Sequence, residues 1–481
     1  MAFTDRLHNR GSISTGYDID NSLKLEDDNS EGLTKNYSGD GDRRTWTYST
    51  WIKRTELSQD YYCLFFAGYT GIQLMSENYL RVELYDGTTT RYADTNQLFR
   101  DTSAWYHIVV TLDSTDSTAS DRVKIWINGS RVTDFRTSTY ASMSQNDQFG
   151  IGQASSNYQF GHWFAGGAND RRFCGYVAET HYVNGTALEA TDFGEYDSDS
   201  GIWIPKEYTG SHGSKGFYLK FDDSSNLGKD SSSGGIGDFT LSNITSADQA
   251  TDTPTNNFAI GNANVYFSNP TFNTFNPLTE GATKITKGAG GWETLSSTIA
   301  VTSGKWYMEM QNIVMPETAM MSVFPADIEF IGAGGQINNY AGKVSGDGGI
   351  SYYSYNGNIF YNASNASYGS AWANETNTMA IALDMDNGKV YFARANVWQN
   401  SGDPTSGATG TGAINLIEPS KPHMMGYAVY ANNTSGAVNF GGYTPSSISS
   451  SASDANGYGT FEYAPPSGYY ALCSKNLAEY G

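Results

Sequence analysis

Basic residues are scarce in this chain of 481 residues. Lys and Arg together number 29 against 50 Asp and Glu, which gives a formal net charge of −21 and a sequence pI near 4.6. Without a basic stripe to neutralise phosphates, binding to nucleic acid is not expected. No run approaches the ~18 apolar residues of a membrane-spanning helix, and residues 1–20 contain no apolar core of a secretory signal. Neither membrane insertion nor signal-directed secretion is therefore expected.

Cysteine is rarer still: the chain has three, Cys63, Cys174 and Cys473, and they are far apart in the sequence. An odd number without metal-ligand spacing argues against a disulfide framework and suits folding in a reducing cytoplasm. Each cysteine lies in an apolar, strand-like run, so we predict buried free thiols.

Glycine and aromatic residues are abundant, with 53 Gly, 34 Tyr, 23 Phe and 10 Trp. Short runs such as "WYHIVVTLD" and "VKIWINGSRV" alternate with turn signals, among them Asn128-Gly129. In the first run, Trp105, His107 and Val109 share one face of a strand, and the intervening residues share the other. This rhythm predicts an all-β fold of two antiparallel β-sandwich (jelly-roll) domains in tandem. His107 is expected to have a structural role.

The first half of the chain resembles the laminin-G/concanavalin-A-like jelly rolls. The resemblance rests on four motifs in order: "WYHIVVTLD", "VKIWINGSRV", "FGIG" at 149–152 and "FCGYVAETHYVNGTAL" at 173–188. It implies a lectin-type sandwich, which we place at residues 21–240, preceded by a short N-terminal docking peptide at 1–20.

The second half resembles the SPRY (B30.2-like) sandwich. The motifs are "SGKWYMEM" within 299–313, the hairpin "ALDMDNGKVYF" within 378–398 and "VNFGG" within 437–442. A polar insert follows Trp398, where that family has a short turn. We place this domain at 296–476 and a linker at 241–295.

The leader, the laminin-G-like half, "IWIPKEYTG" and the closing "FEYAPPSGYYALCSKNL" together are similar to virion proteins of marine tailed bacteriophages. The resemblance implies a non-enzymatic virion surface protein made in the host cytoplasm. A tail-fibre-like adhesin that attaches to host-surface glycans is expected first. It would be a homo-oligomer, with a trimer as the expected form, docked on other virion proteins through residues 1–20. The alternative is a capsid decoration protein that coats or cements the shell.

Aromatic residues on Gly-rich loops suit the flat faces of sugars, with polar neighbours for the hydroxyl groups. The loop 153–172 and the rims of the second half provide such residues, although the same aromatics could pack locally or against a neighbouring subunit. The candidate ligand-binding residues are Tyr158, His162, Trp163, Arg171, Tyr355, Trp372 and Trp398.

Acidic residues suggest two further kinds of site. Asp113, Asp116 and Asp121 lie in one acid-rich loop and could offer oxygen ligands to Ca²⁺, although a solvated turn is the alternative and no cofactor is otherwise expected. Asp327 and Glu329, in "DIEFIG", would share one face of a strand, as paired carboxylates of glycosidases do. The third acid of the laminarinase pattern is missing, so we expect no catalysis there.

Overall fold

The computed structural model describes residues 16–27, 29–57, 61–154, 156–163, 171–262, 278–286, 292–314, 318–328, 340–373, 376–430 and 435–481, with backbone alone at 312–314. The chain divides into a first unit, Ser12–Asn256, and a second unit, Asn257–Gly481. Within the described residues, no helix is long and apolar enough to cross a membrane. The prediction of an all-β fold with antiparallel sandwiches is confirmed.

The first unit contains two large antiparallel sheets. Sheet A has the strand order β10-β9-β8-β3-β15-β1-β20, with β18 beside β15, and sheet B has the order β11-β7-β6-β5-β4-β12-β2-β19. Two short pairs, β13-β14 and β16-β17, form separate two-stranded sheets. The strands are β1 Ser22–Leu25, β2 Gly32–Lys35, β3 Thr45–Arg54, β4 Tyr61–Ala67, β5 Thr70–Met75, β6 Tyr79–Tyr85, β7 Thr90–Leu98, β8 Tyr106–Asp113, β9 Val123–Ile127, β10 Ser130–Arg131, β11 Phe135–Ser138, β12 Tyr158–Phe160, β13 His162–Trp163, β14 Arg171–Arg172, β15 Gly175–Asn184, β16 Gly194–Tyr196, β17 Trp203–Pro205, β18 Phe217–Leu219, β19 Thr240–Ser242 and β20 Gln249–Ala250; short 3-10 helices span Ala119–Asp121, Thr139–Ser142, Ala190–Asp192 and Ser246–Asp248.

The core of the first unit lies between the inner faces of the two sheets. Ile108 and Val110 of β8 belong to this core, together with Ile125 of β9, as the alternation in the sequence predicts. Phe65 of sheet B stacks on Tyr48 of sheet A, with ring centroids 5.2 Å apart. Further rings surround Phe65, so an aromatic cluster joins the two sheets.

The outer face of sheet A is covered by the chain itself. Lys53 on β3 forms an ion pair with Asp252, at 2.7 Å, and both side chains are almost fully buried. The indole of Trp105 donates a hydrogen bond to the same carboxylate, at 3.1 Å. The cost of burying this charge is offset because the carboxylate has both a cation and a hydrogen-bond donor beside it.

The segment that contains Trp203 also covers the outer face of sheet A, and His107 binds it. The indole Nε1 of Trp203 donates to His107 Nδ1 at 2.9 Å, and His107 Nε2 lies 2.9 Å from Ser49 Oγ. Because an indole can only donate, Nδ1 is unprotonated and Nε2 carries the proton. Burial, with a smaller contribution from His181, lowers the pKa of His107 to about 3. The ring is therefore neutral and structural.

The second unit also contains two sheets, antiparallel except for the parallel pairing of β34 with β23. One has the order β21-β33-β23-β28-β29-β30, with β31 beside β29 and β34 beside β23, and the other β22-β32-β24-β25-β26-β27. The strands are β21 Lys284–Thr286, β22 Glu293–Ser296, β23 Lys305–Val314, β24 Ala319–Pro325, β25 Ile350–Tyr353, β26 Asn358–Tyr361, β27 Ser364–Ser367, β28 Met379–Asp384, β29 Lys389–Arg394, β30 Val397–Trp398, β31 Ile414–Asn415, β32 His423–Val429, β33 Ser435–Asn439 and β34 Tyr470–Ala471; helices span Gln399–Ser401, Pro404–Thr409 and α1 Ser474–Tyr480.

Two segments differ from expectation. In 241–295, expected to be a linker, β20 pairs with β1, and β21 and β22 pair with strands of the second unit. The ends of this segment are therefore parts of sheets, while 263–277 and 287–291 lie outside the described residues. The last residues of the expected docking peptide pack on the first unit, because Tyr17 bonds to Glu179 and Ile19 to Thr255. Residues 1–15 lie outside the described part. All three cysteines are buried free thiols, as predicted.

The buried ion pair gives a first test. Replacing Asp252→Asn leaves the Lys53 ammonium without its counter-charge, and we expect a loss of about 3–5 kcal/mol in the free energy of unfolding. Adding Lys53→Met to Asp252→Asn removes the uncompensated charge and should recover part of that loss. Chemical unfolding followed by circular dichroism measures both.

The matched control is Asp223→Asn, which breaks the exposed pair of Asp223 with Lys229. It should leave the free energy of unfolding almost unchanged, because exposed ion pairs contribute little to stability. If Asp252→Asn cost no more than this control, the buried pair would not hold residues 249–256 on the sheet.

The neutral His107 predicts a dependence of stability on pH. Its pKa is about 3 in the folded chain and ~6.5 when unfolded, so between these values the unfolded state binds more protons. Stability therefore falls as pH falls through this window. From pH 6.5 to pH 5 the loss from this group is about 2 kcal/mol. The variant His107→Gln can keep both hydrogen bonds without titrating. Unfolding at several pH values should show a smaller loss for His107→Gln; parallel losses would contradict the assignment.

Candidate functional site

Trp163 and Arg171 are brought together on the outer face of sheet B. They are directly paired residues of the short β13-β14 pair. The guanidinium of Arg171 lies over the Trp163 ring, 4.4 Å from its centroid, an arrangement that favours cation–π attraction. Both side chains are only partly buried. Two of the predicted ligand-binding residues thus form one surface group.

The Trp163 ring rests on Phe66, which itself lies flat on the sheet. The two rings are stacked, with centroids 5.2 Å apart. Phe66 can lie flat because its cross-strand partner is Gly71, where a Cβ atom would come within 2.4 Å of the Phe66 ring. Any side chain at Gly71 would push Phe66 outward, and Trp163 with it.

Polar side chains of neighbouring strands fix the position of Arg171. Its Nη1 donates to Gln73 Oε1 at 2.7 Å and to Glu83 Oε2 at 3.1 Å. Gln73 Nε2 also donates to Glu83 Oε2, at 2.9 Å. Because Gln73 and Glu83 lie on the adjacent strands β5 and β6, the guanidinium is held before any ligand arrives.

Tyr69 adds an exposed ring at the edge of this group. It occupies the tight turn between β4 and β5, with φ of 61° after Gly68 at 54°. Such turns favour Gly or Asn, since other residues adopt positive φ at a cost of roughly 1–3 kcal/mol. The Tyr69 side chain is 65% exposed, and its ring contacts those of Tyr85 and Trp163 edge-on.

We call the set Phe66, Tyr69, Tyr85, Trp163 and Arg171 the aromatic platform. Glu83 beside it supplies a carboxylate, while the buried amide of Gln73 holds Arg171 and Glu83 in place. Apolar ring faces next to fixed donors and acceptors match the two kinds of surface on a sugar, its C–H faces and its hydroxyl groups. The platform can therefore stack a sugar ring and bond its hydroxyls.

The other two predicted residues of this region lie in the core, which corrects the expectation that they face a ligand. Tyr158 is fully buried because β12 pairs with both β2 and β4, and its ring packs on Phe65. His162 is also buried, with Nδ1 3.4 Å from the carbonyl of Ser30. Sequence spacing could not separate these residues from Trp163, which differs only in the face it occupies.

The three predicted ligand-binding residues of the second unit differ in their exposure to solvent. Tyr355 is 56% exposed in the turn between β25 and β26. Trp372 is buried against Tyr352, so it is a core residue and not part of a surface. Trp398 is partly buried and contacts Tyr391 edge-on. Within the described residues, no ring contact links Tyr355, Trp372 and Trp398 to one another.

The candidate calcium residues have other partners. Asp113 and Asp116 each accept hydrogen bonds from the turn that follows them, and Asp121 pairs with Arg131 at 2.5 Å. They do not form a metal-sized group in the described part of the chain. The structure therefore favours the alternative, in which these residues form a solvated turn.

One acidic group with a cysteine does occur in the described residues, formed by Glu26, Asp27 and Cys174. Burial, reinforced by the neighbouring carboxylates, raises the pKa of the Cys174 thiol well above its usual value. The group offers three ligand atoms, which is fewer than the four of a structural zinc site, so by itself it does not make such a site.

A buried network lies on sheet A around Glu179. This residue has φ of 47° at a bulge of β15, and its carboxylate accepts hydrogen bonds from Tyr17 and Tyr218. His181 Nε2 lies 3.4 Å from the same carboxylate, and the other ring nitrogen of His181 contacts His212 at 3.1 Å. The crevice beside Glu179 has no room for a water molecule. The network anchors Tyr17 and offers no access to a substrate.

The "DIEFIG" motif does not place two carboxylates on a strand. Asp327 lies in the turn after β24, where its exposed carboxylate pairs with Lys421 at 3.1 Å. Glu329 lies outside the described residues.

Four residues at the platform were not among those predicted from the sequence: Tyr69, Tyr85, Gln73 and Glu83. A signal for Tyr69 was present, since "AGYTG" places an aromatic residue in a tight turn where Gly or Asn is usual. For Gln73 and Glu83 no comparable signal exists, because polar residues are expected on any solvated strand face.

The first unit is similar to known lectin-type domains. Residues 27–192, about a third of the chain, match the family model Laminin_G_3, described as the concanavalin A-like lectin/glucanases superfamily. No curated protein sequence is detectably similar to the chain.

Three solved structures show the range of the structural likenesses. The SPRY domain of human HERC1 is 16% identical, covers 34% of this chain and 89% of its own, and has a TM-score of 0.26. A candidate carbohydrate-binding protein from Bacteroides ovatus is 14% identical, with coverage of 47% and 58% and a TM-score of 0.34. A heptameric SAP-like pentraxin from Limulus polyphemus is 15% identical, with coverage of 36% and 80% and a TM-score of 0.26.

Because all three TM-scores are below 0.5, similarity to these structures does not indicate a function for this chain. The family match alone therefore relates the chain to known proteins, as similarity of residues 27–192 to the concanavalin A-like lectins and glucanases.

Proposed function

We propose that this chain is a glycan-binding protein and that the aromatic platform is its binding surface. The observation that carries the proposal is the exposed Tyr69 ring beside Trp163, next to a guanidinium already fixed by Gln73 and Glu83. The match of residues 27–192 to a superfamily that includes lectins supports it.

A sugar ring would stack its C–H face on the rings of Tyr69 and Trp163. Its hydroxyl groups would accept from Arg171 and donate to Glu83. Each aromatic contact contributes about 0.5–1.5 kcal/mol beyond burial, so a single platform binds weakly. Weak sites become useful when several copies are linked, since avidity can add ~10²–10⁴ in affinity.

The biological setting that fits such a weak site is an attachment protein on a virion. The resemblance to proteins of marine tailed bacteriophages supports a tail-fibre-like adhesin, presented on the particle surface as a homotrimer and docked through residues 1–20. Three platforms on one fibre would supply the avidity that host attachment needs.

This setting predicts where the protein lies on intact phage particles. Gold-labelled antibody against residues 300–481, viewed by electron microscopy, should mark the tail only. Label over the head would instead indicate capsid decoration. Absence of label from both, with the antigen shown to be accessible, would contradict the virion assignment.

We propose that the chain binds a glycan and does not hydrolyse it. Hydrolysis of a glycosidic bond usually needs a pair of carboxylates, and among the described residues of the platform and its polar neighbours Glu83 is the one carboxylate. Release of oligosaccharides from host-surface glycan by the purified chain would contradict this part of the proposal.

The platform is tested by glycan-array binding of the full chain, followed by titration with the glycans that bind. The variants Tyr69→Ala and Trp163→Ala each remove one stacking ring, so we expect about tenfold weaker binding from each. Tyr69 is largely exposed, so Tyr69→Ala should lower the free energy of unfolding by less than about 1 kcal/mol.

The matched control is Tyr196→Ala. Tyr196 is 54% exposed in the same unit but lies on β16, outside the platform. Its removal should leave glycan binding unchanged. Equal losses for Tyr69→Ala and Tyr196→Ala, or no binding to any neutral glycan, would refute the platform as the site.

A further inference from the structure

The second unit contains a polar cavity that the aromatic platform does not explain. Its volume is about 240 Å³. Typical drug-sized ligands occupy ~300–1,000 Å³, so a ligand of this cavity would be smaller, of about the size of one sugar ring.

The floor of the cavity is rigid and polar. Gln311 on β23 and Thr378, which directly precedes β28, are both nearly buried. Gln311 Nε2 donates to Thr378 Oγ1 at 3.2 Å, while Gln311 Oε1 accepts from Ser446 Oγ at 2.6 Å. These bonds fix the amide, so its orientation is set before a ligand enters.

The rim of the cavity is built from two segments that are bonded to each other. The backbone N–H of Ser449 donates to Glu462 Oε2 at 2.7 Å, and the Ser449 hydroxyl bonds to the other oxygen of the same carboxylate. The rim is thus closed by a carboxylate and a serine hydroxyl.

Buried Glu309 holds this rim on the sheet. Its two carboxylate oxygens accept from the backbone N–H groups of Glu462 and Tyr463, at 2.8 Å each, and one also accepts from the Tyr307 hydroxyl at 3.0 Å. Because Glu309 lies on the central strand β23, the shape of the cavity depends on the strand and not on a free loop.

The lining determines the class of ligand. Hydroxyl and amide groups predominate among the described residues of the lining, where the one charged side chain is the carboxylate of Glu462. None of these described residues is Lys, Arg or His, so an anionic ligand would meet a negative charge without a counter-charge. Among the described residues of the lining, Tyr463 is the one large ring and no aliphatic side chain is present, which disfavours an apolar ligand.

We propose that this cavity is a second binding site, specific for a neutral polyhydroxylated molecule of the size of a single sugar unit. The proposal does not rest on the aromatic platform, since its ligand chemistry follows from the cavity alone. If both sites hold, one chain contacts sugars at two separate places.

The test is saturation-transfer NMR on the full chain with methyl α-D-glucopyranoside, methyl β-D-galactopyranoside and N-acetyl-D-glucosamine as neutral probes and sodium glucuronate as the anionic probe. At least one neutral probe should bind, and glucuronate should bind at least about tenfold more weakly. The variant Ser447→Phe fills the cavity from its exposed rim and should weaken the neutral probe about tenfold. The control Ser450→Phe makes the same change on an exposed neighbour outside the lining and should have no effect.

The variant Tyr69→Ala separates this site from the platform. Binding that survives Tyr69→Ala and is lost in Ser447→Phe supports the cavity. Binding lost in Tyr69→Ala and kept in Ser447→Phe belongs to the platform and overturns the proposal. The proposal is also overturned if no neutral probe binds, if glucuronate binds as tightly as the neutral probes, or if Ser447→Phe and Ser450→Phe behave alike.

Discussion

The sharing of one aromatic core by two sheets is the constraint on which the first unit depends. Phe65 of sheet B contacts Tyr48 and Tyr182 of sheet A, so the inner faces of both sheets are used for packing. Only the outer faces are then available for other tasks. On sheet A the chain covers this face, with Asp252 and Trp203 bonded to groups on the sheet. On the outer face of sheet B, Tyr69 is exposed and Trp163 and Arg171 are partly exposed, and the aromatic platform lies there.

The platform is ordered by strands rather than by long loops. Gly71 lets Phe66 lie flat, Phe66 supports Trp163, and two strand residues hold Arg171. Tyr69 is kept in a backbone conformation that disfavours a large side chain. Strain of this kind is common at binding surfaces, where the rest of the structure maintains it. A preformed surface loses little entropy on binding, which matters most for a weak ligand.

Much of the fold could be predicted from the sequence, because period-two alternation with Asn-Gly turns is a local signal. It assigned His107 to one face of β8 and Ile108 to the other, as observed. The site could be predicted only in part. Trp163 and Tyr158 are both aromatic residues of the segment 153–172, and the sequence does not show which of them is buried. Tyr158 is buried because β12 pairs with two neighbouring strands. The partners of Arg171 lie about 90 residues away and could not be inferred, since long-range contacts leave no local pattern.

Hydrogen–deuterium exchange of the full chain, with and without an oligosaccharide that binds it, tests most directly whether the aromatic platform is the glycan-binding surface. If the glycan binds the platform, exchange becomes slower in Tyr61–Tyr85, the strands beneath it, and does not change in Val123–Arg131 on sheet A. Protection in Val123–Arg131 without protection in Tyr61–Tyr85 would show that the glycan binds elsewhere and would contradict the account.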